Sequence, residues 1–363
     1  MNDQAIVPMV LPKSPGFWKE SWRRFRDRRL SMIAFWFVLF LAVIAILSPA
    51  IVGTKPLICY YQGEIYFPCF GYYGPSWEAA FSGDPFYKRY PRILKEADPQ
   101  SWAIWPMNYN DPSRPVEEDE WPGRPANPQS SPPSRLNWFG TDSRGFDVFA
   151  QMVHGTRTAL LVGVVSMGIA SLIGVTFGAI AGFYGGWVDI LLSRTIEVVM
   201  CVPTLILILA LMAVIEAPTT WHMMAIIGAT GWTGIARLVR GEFLKLKSMD
   251  YVSAARVLGA SSPRIIFRYL LPNSLAPVLV PITFGIAAAI LIETSLSYIG
   301  FGAPPPNASW GKLLQLGQTN HQNWWLIFFP GVGIFLTVLS YNLIGEGLQE
   351  ATDPRLREGS RRH

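Results

Sequence analysis

Residues 250–274 read DYVSAARVLGASSPRIIFRYLLPNS, and this stretch decides the fold. It is polar, basic and helix-forming, yet it lies between long apolar segments. Tyr251, Ala254, Ala255 and Leu258 fall at i, i+3, i+4 and i+7, one face of a helix. Two adjacent alanines make that face thin enough to enter a cleft. Gly259 can take the left-handed conformation that ends a helix. Ser262 can cap the next helix, and Pro263 suits its first turn. Ile265, Ile266 and Tyr269 then lead into Leu270-Leu271-Pro272, where the chain enters an apolar run. The pattern is helix, tight turn, helix, set at a fixed angle to the run that follows. Such a piece is stiff enough to transmit force from a soluble partner; a surface hairpin without a partner also fits. A DNA-binding helix-turn-helix has a similar outline, but tethering between two apolar segments argues against it.

Outward from this stretch, the chain is 50% hydrophobic and only 15% charged over 363 residues. Soluble domains carry about a quarter charged residues. Uncharged runs at 30–53, 158–183, 198–215, 269–292 and 322–345 are near or above the roughly 18–20 residues that cross a bilayer as helix. A weaker run covers 221–236, which makes six spans. The first run is too long for the apolar core of a cleaved signal peptide and lacks a small-residue cleavage site near its end. The net charge of +5 is distributed by side. Arg23, Arg24, Arg26, Arg28 and Arg29 precede span one. Arg237, Arg240, Lys245, Lys247, Arg256, Arg264 and Arg268 lie between spans four and five, and Arg355, Arg357, Arg361 and Arg362 follow span six. With six spans all three clusters fall on one side, so both termini are expected in the cytoplasm.

The expected organisation is a cytoplasmic lead at 1–29, a first span at 30–53 and an extracytoplasmic insert at 54–157. A five-helix core at 158–350 follows, with the cytoplasmic segment 241–271 inside it, and a cytoplasmic tail at 351–363. In the lead, Trp18, Trp22 and Phe25 recur at helical spacing among arginines, which suits a helix lying on the inner headgroups; an ordinary positive flank fits equally. In the insert, ICYYQGEIYFPCF at 58–70 reads as a hairpin turning at Gln62-Gly63. A two-residue turn there sets Cys59 opposite Tyr66. A Cys59–Cys69 bridge and two free thiols both remain open. Cys201 reads as packing inside span three. The stretch from Pro112 to Pro133 reads as an extended linker.

Span two carries Gly174, Gly178 and Gly182 on one stripe, a pattern that lets helices approach closely in lipid. Span five carries Pro272, Pro277 and Pro281, and kinked helices are tolerated where they line a cavity. Glu293 ends that span. It is a pathway candidate by its depth, and a solvated interface position fits as well. Arg194 and Glu197 are one turn apart and read as a salt bridge on the helix. His154, His222, His321 and His363 have no metal-ligand spacing, and no metal site is expected. No G-x-x-x-x-G-K-[ST] phosphate loop occurs. No paired aspartates, Ser–His pair or H-E-x-x-H lies in the spans, which argues against a membrane enzyme. Embedded carboxylates are too few for an autonomous ion-driven transporter.

The stretch at 250–274 resembles the cytoplasmic coupling motif of ABC importer permeases: Glu-Ala-Ala, three residues, Gly, nine residues, Ile-x-Leu-Pro. Ser253-Ala254-Ala255, Gly259 and Tyr269-Leu270-Leu271-Pro272 follow it, with Ser253 in place of the Glu and Tyr269 in place of the Ile. Asp250 can supply the acidic contact instead. Phe139-Gly140-Thr141-Asp142, Gly145, Asp147, Gly155 and Arg157 resemble the run before span two of oligopeptide and dipeptide permeases, with Phe146 departing from the usual Arg. ETSLSYIGFGAPPP at 293–306, Trp310-Gly311 and Asp353-Pro354-Arg355 resemble later parts of the same subfamily. SPPSRLNW at 131–138 is similar to the branch importing longer peptides and microcin-C-like conjugates. Nickel and opine importers use similar permeases.

The resemblance implies an all-α membrane protein with the ABC type I importer permease fold, acting as the second (C-type) permease of a peptide importer. It implies a second homologous permease, one or two ABC ATPases that hold ATP and magnesium, and an extracytoplasmic solute-binding protein. It implies a peptide substrate, no cofactor in this chain and no nucleic acid. The expected ATPase-coupling residues are Asp250, Tyr251, Ser253, Ala254, Ala255, Arg256, Leu258, Gly259, Ala260 and Pro272. Pro277, Pro281 and Glu293 are the expected pathway residues.

Overall fold

The computed structural model describes residues 17–72, 91, 94–96, 98–118, 120–302, 307–319 and 321–352. The Asp353-Pro354-Arg355 tail, the distal arginines and the end of the 293–306 run lie outside the described residues, as does the side chain of Trp18.

A short helix, α1 (Phe17–Asp27), precedes α2 (Arg29–Ile51). The insert carries strands β1 (Ile58–Tyr61), β2 (Glu64–Tyr66) and β3 (Trp102–Ile104). The rest is helical: α3 (Val148–Tyr184), α4 (Gly186–Met200), α5 (Thr204–Ala213), α6 (Thr220–Lys247) and α7 (Asp250–Val257). These are followed by α8 (Ser262–Ile299), α9 (Trp310–Thr319) and α10 (Trp325–Thr352). The expectation of an all-α chain is corrected by a three-stranded antiparallel sheet, order β2-β1-β3, in the insert.

Four of these helices, α2, α3, α8 and α10, are long and apolar enough to cross a membrane. A fifth span is formed if α4 and α5 count as one, but they meet at an 82° bend. The expected third span is thus broken where Pro203 removes a backbone donor. The weak fourth run is the first part of α6, whose last turns hold Arg237, Arg240, Glu242, Lys245 and Lys247. Cys201, expected inside a packed span, is exposed at the bend. Arg194 and Glu197 form the expected i,i+3 pair at 2.6 Å on the exposed side of α4.

Local chemistry sets the helix ends. The Asp147 carboxylate accepts the Ala150 N–H at 2.7 Å and starts α3 ten residues before the apolar run. Thr219 and His222 form a capping box that starts α6, which gives the lone histidine a structural role. Gly300, at φ +103, ends α8.

The tightest packing joins α3 to α6. A Cβ added to Gly174 would lie 2.8 Å from Ile235 Cβ, on Gly178 2.5 Å from Ala236 O, and on Gly182 2.6 Å from Phe243 Cβ. The expected stripe is therefore a helix–helix contact with no room for a methyl group. Gly228 of α6 repeats the device against Ile169, and Ser166 Oγ donates to Met224 O at 3.0 Å across the same seam. This seam anchors the larger core, which also takes in Ile208, Val252, Ile265 and Leu270. A second core joins α2, α3, α8, α9 and α10 around Leu41, Leu160, Ile290 and Tyr341.

In the insert, Gln62 (φ 48) and Gly63 (φ 88) make the two-residue turn, and Cys59 pairs with Tyr66 as the sequence reading requires. Cys59 and Cys69 are both free and buried; the Cys69 thiol points to Leu57 O at 3.6 Å. Burial pushes the Cys59 thiol up to about 12. The expected linker at 112–133 is instead built on buried charge. Arg114 donates twice to Glu120, at 2.5 and 2.9 Å, and Glu120 is fully buried. Arg124 reaches Asn110 at 2.7 Å and the Tyr109 carbonyl. Trp105, Tyr109 and Trp121 pack edge-on or tilted against one another beside this network, with centroids 5.0–5.8 Å apart. Proline-rich composition hid it, because the charges fixing these turns are scattered in sequence.

Candidate functional site

The segment quoted first forms a compact elbow. Helix α7 starts with Asp250 in its first turn, where a carboxylate favours the helix dipole. It ends in a Schellman closure: Ala260 N–H donates to Ala255 O at 3.0 Å and Gly259 N–H to Arg256 O at 2.9 Å. Gly259 stands at φ +78, and nothing lies within 4 Å of a Cβ built there. Its glycine is demanded by backbone conformation alone. At the start of the next helix Ser261, not Ser262, holds the N-cap position, without a side-chain capping bond, and Pro263 lies in the first turn.

The faces of α7 divide differently from the expectation. Val252 and Ala255 are buried and belong to the inner side; Val252 joins the large core. Tyr251, Ser253, Ala254, Arg256, Val257 and Leu258 are exposed, Val257 and Leu258 at 88% and 86%. The thin face is thus Tyr251, Ala254 and Leu258, with Val257 beside it, while Ala255 fixes α7 to the bundle. Ala260 packs against the same core. The elbow rests on the end of α3: Lys247 Nζ caps the Phe183 carbonyl, and the Arg256 guanidinium lies 6.0 Å from the Phe183 ring centroid.

Helix α8 continues from the elbow without a break for 38 residues, roughly 57 Å at 1.5 Å per residue. Its second turn is a π turn, Ile266–Leu270. Pro272 explains it: a proline ring clashes with the carbonyl four residues back, and the widened turn relieves this. The Asn273 side chain donates to Tyr269 O at 2.6 Å, giving one loosened carbonyl a partner. Pro277 and Pro281 follow inside the helix and are half-buried.

Glu293 is 1% exposed at the far end of α8. Its Oε1 accepts Ser297 Oγ and Ser309 Oγ, both at 2.7 Å. The latter bond ties α8 to the start of α9. Glu293 and Pro277 project about 160° apart around the helix, so the structure does not bring the three pathway candidates together. The apolar groove nearest the elbow has a volume of about 720 Å³. It runs between Leu172, Val175 and Ile180 of α3 and Ile266, Phe267 and Leu271 of α8.

At the opposite end, the motif around Asp142 is a knot. The Asp142 carboxylate accepts the Arg144 and Phe146 N–H groups at 2.8 and 3.0 Å and the Arg144 side chain at 2.8 Å. Asn137 Nδ2 donates to Asp147 at 2.8 Å. Burial pushes the Asp147 carboxyl up to about 6, against the opposing Asn137 and Ala150 donors. One indole binds the knot to the bundle, Trp325 Nε1 donating to Thr141 O, and a second ties α9 to α3, Trp310 Nε1 donating to Met152 O, each at 3.0 Å. Gly155 leaves the room Trp310 needs, a Cβ there lying 2.9 Å from its Cδ1. Sequence reasoning missed the pairing of Asp189 with Arg240, which clamps α4 to α6 through two contacts. A lone acid in an apolar run was its only signal.

Comparison with known proteins follows the same outline. The chain belongs to the family described as binding-protein-dependent transport system inner membrane component, whose profile matches residues 174–358. The profile of the N-terminal TM domain of oligopeptide transport permease C matches residues 16–63. The chain is 36% identical over 342 residues to the inner membrane ABC transporter permease protein YejE of Escherichia coli, covering 92% of this chain and 96% of that protein. It is 34% identical over 371 residues to the peptidoglycan transport system permease protein YejE of Agrobacterium fabrum, covering 96% of each. It is 42% identical over 231 residues to the dipeptide transport system permease protein DppC of Bacillus subtilis, covering 63% of this chain and 72% of that one. An inward-facing MetNI methionine ABC transporter chain overlays with a TM-score of 0.47 at 17% identity, covering 56% of this chain and 97% of that one. That likeness is too slight to carry a conclusion.

Proposed function

We propose that this permease is one of two homologous membrane subunits of an ATP-driven importer, and that the pair forms the route for a peptide-containing substrate. The observation that carries this is the elbow: an exposed apolar face on α7, held by a Schellman turn and by Val252 and Ala255, continuous with a helix that crosses the bundle. In this reading a separate ATPase receives Tyr251, Ala254, Val257 and Leu258 in a cleft, and closing of the ATPase pair moves α7 and α8 as one body. ATP and magnesium are held by that partner. The α7 end, where the basic stretches gather, faces the cytoplasm, with six crossings counted by treating α4–α5 as one and α6 as another. The chain sits in a bacterial inner membrane. The insert faces outward and receives a solute-binding protein. Relatives are named for dipeptide, oligopeptide and peptidoglycan transport, and a peptide moiety is common to these cargoes.

The test replaces Leu258 by Asp and, separately, Ala254 by Trp, both on the exposed face. Each variant is expected to keep the thermal stability of the permease while losing ATPase co-purification and ATP-dependent peptide uptake in proteoliposomes. Retention of both activities would refute the docking role.

A further inference from the structure

The first helix has a face that the transport reading leaves unused. Inward from α1, Phe25 and Ser21 are buried, with Phe25 packed at Gly347 of α10. Arg28 pairs with Glu346 at 3.0 Å and Glu350 at 2.9 Å on the same helix. The side away from α10 presents Lys19, Arg23 and Arg26, which fall within a narrow arc of the helix and are all exposed. Arg29, also exposed, extends the stripe to the start of α2. Among the described residues no carboxylate pairs with any of these four; Glu20 is taken by Arg24 at 2.6 Å.

Depth follows from Trp22. Its ring, half-exposed, meets the Phe35 ring of α2 edge-on at 5.9 Å. Phe35 lies in the second turn of α2, so α1 lies beside the first two turns, within about 10 Å of the start of the span. In those turns α2 turns Leu30, Ile33 and Trp36 outward, at 57%, 65% and 60% exposure. The cationic stripe of α1 is therefore continuous with the bilayer-facing side of α2, at headgroup level, and Trp22 stands at the boundary as interfacial indoles do.

We propose that Lys19, Arg23, Arg26 and Arg29 form a site for the headgroups of anionic phospholipids, with Trp22 as its wall. Charge complementarity selects this occupant, and the clamp to α10 holds the stripe in place without using its cations. Near an anionic surface each such cation contributes about a fivefold preference, so removing three lowers anionic-lipid affinity by about a hundredfold.

The experiment takes the purified transporter in phosphatidylcholine nanodiscs with and without phosphatidylglycerol. It compares wild type with the combined Lys19→Gln, Arg23→Gln and Arg26→Gln variant, leaving Arg28 and its clamp intact. Native mass spectrometry counts retained phosphatidylglycerol. The Trp22 signal, taken as wild type minus Trp22→Phe, is read against brominated phosphatidylglycerol and brominated phosphatidylcholine. The proposal expects retained anionic lipid in the wild type, its loss in the triple variant at unchanged thermal stability, and stronger quenching of Trp22 by the anionic bromolipid. Equal retention and equal quenching would overturn it. So would unchanged retention with loss of ATPase co-purification in neutral lipid, which would make the stripe a protein-binding face. The lipid count needs neither ATP nor peptide, so its failure is separable from failure of the transport reading.

Discussion

Replacing Gly178 by alanine should force α3 and α6 apart. In an open helical position that exchange stabilises by about 0.5–1 kcal/mol, because glycine loses more chain entropy on folding. At position 178 the new methyl would lie 2.5 Å from Ala236 O, 2.8 Å from Val239 Cβ and 3.1 Å from Arg240 N. Two of these neighbours are backbone atoms, which cannot swing aside, so the seam must open by about 0.9 Å to reach ordinary contact at 3.4 Å. Overpacking of this kind costs about 1–3 kcal/mol, and a gap of that size forfeits part of the dispersion along the seam. The net expectation is a loss of about 1–2 kcal/mol. Gly168, on the same helix with nothing within 4 Å of an added Cβ, supplies the control: Gly168→Ala should gain about 0.5–1 kcal/mol. Thermal unfolding of the two variants in one detergent, followed by size-exclusion fluorescence, reads the difference. If Gly178→Ala stabilised the protein as much as Gly168→Ala, the close-packed seam would be refuted.

Three further outcomes follow from buried polar groups. Glu293→Gln should fold with near-native stability, because one oxygen already accepts both serine hydroxyls; Glu293→Leu should lose about 1–3 kcal/mol in the same melt by stranding two donors. Asp147 binds its proton more tightly folded than unfolded, its carboxyl being raised to about 6. Its contribution is complete below about pH 4 and is lost as pH rises through about 6, by up to about 3 kcal/mol. The difference between wild-type and Asp147→Asn melts across that window measures it, and a flat difference would contradict the burial. Glu120→Gln should destabilise the insert by about 1–3 kcal/mol, since Arg114, 12% exposed, loses its two-point partner and keeps only Asp111 at 3.9 Å. Limited proteolysis between the first two spans would report it.

The elbow was legible because its signals are local: a glycine that must be left-handed, a proline in a first turn, and alanines at helical spacing. The glycine stripe was legible for the same reason, three small residues in register. What the sequence hid depends on partners far along the chain. Ala255 reads as part of the outer face until Val252 beside it proves to be buried in the core. Glu293 reads as an embedded charge until Ser309 arrives from the next helix. The buried network of Arg114 and Glu120 sits in a segment whose prolines suggest a tether. The break at Pro203 was hidden by uninterrupted hydrophobicity, which records the solvent a segment prefers but says nothing of its direction.

The two indole bonds, from Trp325 to Thr141 and from Trp310 to Met152, carry a mechanical consequence. With the chain segment that joins α9 to α10 they close a ring through α3, α9 and α10 at the rim opposite α7, and the Glu293–Ser309 bond fastens α8 to it. A rim closed in this way resists splaying, so in the proposed two-subunit importer, motion started at the elbow would swing this subunit as a whole about the second permease. The hinge of that proposed transport cycle would then lie between the two permeases, where few bonds within this chain need to break.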